Sequence, residues 1–435
     1  MEIMKRLLLI FTLALGLIGC DLNNNANPNS ASEEAVLKTS EGIQALAIGM
    51  QQYYATQTLA AAVYVPAVAS GELGCNTTFS DALDLHIGGA GLPNTNGHIL
   101  AIWSRSFRVI EMANKLMANV PNVQLADGTR SGILALAELY KAMSLGALAG
   151  AFEQAPIDTD PTGQAAFKTR AQVLTEAIRL LDDAAAKLTA TPASAEFNAK
   201  ILGTGFDLTN TIHVMRARYN LFAGNHTAAL AAANLVDLSK KSVFTFDDKN
   251  NNPLFNQIAN AGNTTRNWAP RDNLGITPEA GDARIAFWTA TVTRSSTAAP
   301  TVPLDDVKGF YDTMIKAIPV YLPSEVRLIR AEANARLAKP AADVLADIDA
   351  VRTKKAVDDP FGLGAGLAAY AGATTQTALL DEIFRQRTVE LFLQGVRLED
   401  SRRFGRPAAE RNRTFLPYPN QERINNANTP ADPTN

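Results

Sequence analysis

The chain has 435 residues, 47% of them hydrophobic and 19% charged, which excludes a disordered protein and allows a sizeable core. Lys and Arg number 40 against 43 Asp and Glu, a net charge of −3, and that mild acidity excludes a general nucleic-acid binder, which would be basic. The two cysteines, Cys20 and Cys75, allow no disulfide framework, so the fold must rest on packing.

At the N-terminus Lys5 and Arg6 precede an unbroken apolar run from Leu7 to Ile18. This predicts a secretory signal over residues 1–19, because the run is shorter than the roughly twenty apolar residues of a membrane-spanning helix. Leu17-Ile18-Gly19-Cys20 resembles a bacterial lipobox, which implies cleavage before Cys20 and acylation of its thiol. One acyl chain anchors only marginally, at about 0.8 kcal/mol per buried methylene, whereas the several chains of such lipoproteins give a lasting membrane anchor. Residues 20–35, with Asn23, Asn24, Asn25, Asn27 and Asn29, read as a polar tether. Residues 36–435 then form a single domain.

Most of that domain reads as helix. Val36 to Ala62 is rich in Ala, Leu and Gln without proline, and the loop Pro93-Asn94-Thr95-Asn96-Gly97 introduces a helix over His98 to Ala118. There Ile99, Ile102, Trp103, Val109, Ile110 and Leu116 form a stripe, which assigns Trp103 to the core. Ser131 to Phe152 is dominated by Ala, Leu and Gly, and Arg170 to Leu188 sets Val173, Leu174, Ala177, Leu181 and Leu188 on one face. Leu208 to Phe222, Gly224-Asn225 and Ala228 to Leu238 read as a helical hairpin, with Ala217, Gly224, His226, Ala229 and Val236 at the offsets of a tetratricopeptide (TPR) repeat. Ser324 to Leu337 and Ala341 to Val351, split by Lys339-Pro340, read as a second hairpin. Together they predict a mainly α, TPR-like helical superhelix with long irregular loop insertions.

The first insertion, residues 241–319, contains Asn250-Asn251-Asn252-Pro253, Pro270, Pro278 and Gly281. A loop of that length is either disordered or functional, and Trp268 and Trp288 within it favour partial order. The second, residues 357–377, holds Gly362-Leu363-Gly364-Ala365-Gly366 and reads as a flexible connector, because its glycines miss the dinucleotide-binding spacing.

Residues 320–426 carry the most specific pattern. Arg330 and Glu332 lie in an Ala-rich helix, and Val351-Arg352 ends the next. Glu382-Ile383, Arg387, Glu390-Leu391, Gly395 and Arg397 follow, and then Leu416-Pro417, Pro419, Glu422 and Asn426. This series resembles the SusD/RagB family of outer-membrane nutrient-binding lipoproteins. The N-terminal half agrees in order only, through the lipobox and the Trp103 helix leading to Asn114, and it lacks the family's aromatic-Gly pair before Pro156. The resemblance implies a lipid-anchored outer-membrane protein that captures an oligosaccharide or other oligomeric nutrient. It also implies delivery of that nutrient to a TonB-dependent outer-membrane transporter (SusC-like). Read from the residues alone, Glu382, Arg385, Arg387, Glu390, Arg397, Glu399, Asp400, Arg402 and Arg403 form a solvated or inter-helix ion network.

The four histidines are dispersed, and no metalloprotease, Walker or nucleophile-elbow motif is present. Neither a cofactor nor a metal is implied, so binding without catalysis is the expectation. Two alternatives remain open: an envelope scaffold without ligand, and a cryptic helical glycoside hydrolase whose carboxylates meet only in space. In the family, loops on the helical scaffold build the binding face, which implies residues 70–97 and 241–319 here. Trp268 is the leading ligand-binding candidate because no apolar periodicity surrounds it, although it serves equally as a pin holding the insertion down. Trp288, in Ile285-Ala286-Phe287-Trp288, reads as packed, and Phe79 and Tyr311 complete the candidates. An aromatic content of 7% leaves peptides or other oligomers credible as ligands beside glycans.

Intact-mass analysis of membrane-extracted protein is expected to show residue 20 as a diacylated or triacylated N-terminus. Cys20→Ala should abolish the lipid mass, and an unmodified Cys20 behind an uncleaved signal would remove the anchor.

Overall fold

A computed structural model describes residues 33–259 and 266–435. The signal, Cys20 and most of the tether lie outside the described residues.

Helices form where the apolar spacing demands them. Helix α1 (Ser40–Tyr53) starts at Thr39, whose hydroxyl accepts the Gly42 N–H at 3.0 Å, and passes through a π-turn at Tyr54–Thr58 into α2 (Leu59–Ala69). The helix runs past Ala62, where sequence reading ended it, because Val63 to Ala69 are all buried. Pro66 within α2 leaves the Ala62 carbonyl without an intrahelical donor. The backbone of Gly395 packs there, where a Cβ would come within 2.7 Å of that oxygen. Next come α3 (Ser80–Ile87), α4 (Gly97–Asn119), α5 (Asp127–Ala151) and α6 (Arg170–Ala190), the last opened by a Thr169–Gln172 capping box. Helix α5 is long and apolar enough to cross a membrane, but it is buried within the scaffold.

The first TPR-like hairpin is α7 (Leu208–Phe222) and α8 (His226–Ala233), and a short helix α9 (Arg284–Trp288) lies in the large insertion. The second hairpin is α10 (Pro323–Arg336) and α11 (Ala341–Arg352), followed by α12 (Gln376–Glu390) and α13 (Arg397–Arg403). The helices pack in series: α4 on α5, α5 on α6, α6 on α7, α7 on α8, α8 on α10, and α10 on both α11 and α12. This is the mainly α, TPR-like superhelix expected, with its two hairpins side by side. Small residues allow the close approach: Ala217, Ala229 and Ala333 are fully buried, and a Cβ on Gly146 of α5 would strike the Tyr219 ring of α7.

The charged C-terminal run is not a solvated face. Arg403 holds Glu332 of α10 through two bonds of 2.8 Å, and Arg336 adds a third. Arg387 of α12 grips Asp400 of α13 at 2.8 and 3.0 Å. Glu390 is shared between Arg284 of α9 at 2.9 Å and Lys354 at 2.8 Å, and Arg352 of α11 joins Glu279 to Glu382. Glu332, Glu382 and Glu390 have no exposed surface at all. Helix α12 thus ties together the second hairpin, the large insertion and the C-terminal helix.

Among the described residues, both insertions dock onto this scaffold. Short strands β2 (Gln154–Pro156) and β3 (Phe167–Thr169) pair with each other, and β4 (Val243–Phe244) opens the large insertion. Strands β1 (Leu73–Cys75) and β5 (Trp268–Pro270) pair antiparallel, as do β6 (Thr289–Ser295) and β7 (Pro303–Val307), and an Arg271–Leu304 bridge joins these last two ladders. The 357–377 segment is docked, contrary to the flexible-connector expectation. Leu363 and Ala365 are fully buried, Leu367 N–H bonds to Arg352 O at 2.8 Å, and Ala283 N–H bonds to Ala365 O at 3.0 Å. Gly364 serves close packing, since a Cβ there would meet the Lys355 backbone at 2.3 Å.

Burial alone would push the Glu332 carboxyl up, but Arg403, with Arg387 and Arg336, overrides it and holds the pKa at about 2 against an ordinary 4.5. The resulting stabilisation is fully present above pH 4.5 and is lost as pH falls toward about 2. Glu332→Gln is expected to cost about 3–5 kcal/mol in urea melts at neutral pH, because Arg403 and Arg336 lose the buried carboxylate they share. The variant should also lose much of the wild type's acid sensitivity in that window. A cost below about 1 kcal/mol would mean that solvent already neutralises these guanidinium groups.

Candidate functional site

The two stretches expected to form a binding face meet through main-chain bonds. Asn76 N–H bonds to Asn267 O at 2.8 Å, Arg271 N–H to Glu72 O at 2.9 Å, and Thr297 N–H to Cys75 O at 3.1 Å. Gly74 has no side chain because Leu304 fills that space, 2.6 Å from where a Cβ would stand. Residues 408–412 close the third side: Asn412 donates to the carbonyls of Leu85 and His86 at 2.8 and 2.9 Å, and its N–H bonds to Ala69 O. These segments enclose a cavity of about 290 Å³, lined by Gly71, His86, Arg271, Pro300, Glu410 and Asn412 among others. That volume lies near the lower end of small-molecule sites, roughly 300–1,000 Å³.

The polar groups of this cavity are defined. His86 Nδ1 accepts the Cys75 N–H at 3.4 Å, and Nε2 donates to Pro300 O at 3.2 Å, a pattern only the neutral Nε2–H tautomer provides. Burial pulls its pKa down and Arg271 adds to that, consistent with a neutral ring. Glu410 is held by Arg406 at 2.7 and 3.0 Å. Asn412 Oδ1 is buried without a partner among the described residues.

The candidate residues are placed as follows. Trp268 is fully buried, stacked on Tyr64 of α2 at 6.0 Å and edge-on to His98 of α4 at 5.3 Å. Its ring therefore presents no platform and instead fixes β5 to the scaffold, as a pin does. Trp288 is likewise buried, with Nε1–H donated to Val389 O at 2.8 Å at the end of α12. Tyr311 lies beside it, its hydroxyl donated to Leu393 O at 2.7 Å. None of these three rings reaches the surface, because each closes the contact between the insertion and a helix. Phe79 differs: at 55% exposure it is the one aromatic side chain counted as exposed among the described residues. It stands at the start of α3, two turns before His86, so its ring lies on the order of 10 Å along the helix from the cavity wall. Sequence reading missed α3 as a helix, and missed His86, Arg271 and Asn412 as cavity residues. Ile87 and Leu83 share the Phe79 side of that helix, and this i, i+4, i+8 spacing is the signal that could have marked it.

Two other cavities have a different character. The crevice between α2, α5 and α7 holds only about 80 Å³, and its one charged wall, Arg218, is already bound to Glu325 at 2.6 and 2.7 Å. A cavity of about 360 Å³ between the end of α6 and the start of α7 is built from scaffold residues, not from the insertion.

The model for the SusD family matches residues 311–433, which confirms the resemblance carried by the C-terminal motifs. No curated protein matches the chain. A SusD superfamily protein from Bacteroides thetaiotaomicron superposes with a TM-score of 0.71 at 16% identity, covering 90% of this chain and 99% of the other. A SusD-like carbohydrate binding protein from Bacteroides fragilis gives 0.70 at 14% identity, over 91% and 100%. Surface glycan-binding protein A from Bacteroides thetaiotaomicron, solved with laminarihexaose, gives 0.68 at 14%, over 91% and 99%. At these identities the superpositions establish the shared fold.

Below the cavity, at the base of β1, Glu72 is almost fully buried, with Oε1 accepting the Leu393 N–H at 3.0 Å and Oε2 unpartnered. Burial pushes its pKa up to about 7, with the Arg397 charge and the Leu393 bond opposing. The folded state then binds a proton that the unfolded state has released, so stability falls as pH rises from 4.5 to about 7. Glu72→Gln is expected to raise the melting midpoint at about pH 8 and to leave it nearly unchanged at about pH 4. An equal shift at both values would show that Glu72 does not titrate in this range.

Proposed function

We propose that this chain, with SusD-family sequence over residues 311–433 and a SusD-like fold over 90% of its length, is a surface lipoprotein that captures an oligosaccharide and passes it to a TonB-dependent (SusC-like) outer-membrane transporter. The observation that carries this reading is the meeting of residues 70–97, 266–307 and 408–412 around one cavity, with the Phe79 ring exposed on the order of 10 Å away along α3. An apolar ring face packs well on the C–H face of a pyranose, while guanidinium, amide and main-chain groups in the adjoining cavity bond the hydroxyls.

The reading assigns binding rather than catalysis: the cavity's carboxylate is tied to Arg406 and its histidine bridges two main-chain groups, so neither is free to move a proton to or from a substrate. Tethered through Cys20 at the outer surface, the protein would sit over the transporter as a lid. Its small net charge leaves shape and apolar contacts to hold that interface.

Phe79→Ala is expected to weaken oligosaccharide binding about tenfold or more by calorimetry, with an unchanged melting midpoint. Crosslinking in cells should recover an outer-membrane β-barrel. Full affinity in the variant would exclude Phe79 from the site, and recovery of periplasmic assembly factors alone would favour a scaffold without ligand.

A further inference from the structure

The charge balance of the cavity says more about its occupant. The half-buried Arg271 guanidinium has no carboxylate within 4 Å among the described residues, unlike Arg218, Arg284, Arg352, Arg387 and Arg403, each of which has one or two. Burial lowers the Arg271 pKa, and no carboxylate opposes that effect. Space for the group is built in: Gly71, at φ 75°, stands where a Cβ would lie 2.7 Å from the guanidinium. The other polar groups of the cavity do not supply the missing charge, since His86 is neutral and Glu410 is bound by Arg406. A second cavity residue, Arg411, also makes no ion pair among the described residues, its side chain bonding to Thr414 Oγ1 and to Arg406 O. Arg397, whose pKa burial lowers against the opposing Glu72 charge and nearby Arg271 lowers further, donates to Leu274 O.

A guanidinium taken partly out of water without a counter-ion costs free energy that a bound anion recovers, and its planar fork fits a carboxylate or sulfate through two parallel bonds. We infer that the cavity selects an oligosaccharide bearing an anionic group, a uronate carboxylate or a sulfate ester, received by Arg271. This rests on the capture reading above and narrows its ligand class. Neutral glucans would leave the Arg271 charge unmatched.

The test uses the whole mature protein on an array of neutral, uronate-containing and sulfated oligosaccharides, with Arg271→Gln and Arg271→Lys alongside. Retention is expected on the acidic members, either uronate or sulfate, falling about tenfold or more in Arg271→Gln and only partly in Arg271→Lys. Wild-type retention should also weaken between about 50 and about 500 mM NaCl, a readout that needs no variant to fold. Retention of neutral members that is insensitive to salt and to Arg271→Gln would overturn the anion inference and leave capture standing. No retention on any member would overturn both.

Discussion

Arg387, Arg403 and Arg284 bring guanidinium charges inside the molecule, and the rest of the structure is arranged so that none lacks a carboxylate. Glu332 comes from the second hairpin, Asp400 from the C-terminal helix, Asp282 from the large insertion and Glu390 from α12. Taking such groups out of water is expensive, and only well-formed bidentate contacts recover the loss. The network therefore has a strong geometric requirement: the hairpin, the insertion and α12 must dock in one register or leave a charge unpaired. A purely apolar contact between Ala-rich helices would tolerate sliding far better.

Aromatic side chains complete the attachment of the insertion. Trp288 closes on the end of α12 and Trp268 closes on α2 and α4, so the loop that carries the cavity wall is held at two separated points. Between them the β1–β5 and β6–β7 ladders fix the main chain around Arg271 and Pro300. A loop held this way loses little conformational entropy when a ligand arrives, which favours binding by a preformed surface. Arg271 differs from the network arginines in facing a cavity with no carboxylate within 4 Å among the described residues, whereas Arg413, which also lacks one, is satisfied by the carbonyls of Gly89, Phe415 and Pro433.

How much of this was legible in the sequence depended on how local the cause was. The helices at 97–119, 127–151 and 170–190 were readable because their apolar stripes repeat over many turns. Helix α3 was missed, since its eight residues and the Phe79 before them offer only the short Phe79, Leu83, Ile87 spacing, easily passed over in a loop-like stretch. Trp268 shows the same limit from the other side. Its flanking residues have no periodicity, and the groups that bury it, Tyr64 and His98, are far away in the chain. The alternating charges of the C-terminal run suggested ion pairs, but their burial depends on Glu279, Arg284 and Glu332, which no spacing rule connects to them. A binding face on residues 70–97 and 241–319 was the expectation; the cavity where they meet, its third wall at residues 408–412, and its arginines without a carboxylate, Arg271 and Arg411, were not read from the sequence.

The most direct test of a rigid scaffold presenting a loop-built site is amide hydrogen exchange, with and without the oligosaccharide that the protein retains. Added protection should fall on residues 70–97, 266–307 and 408–414, while Gln376–Glu390 and the two hairpins, already protected by the ion network, stay unchanged. Ligand-dependent protection centred on the α7–α8 and α10–α11 hairpins, with the loops unaffected, would contradict the account.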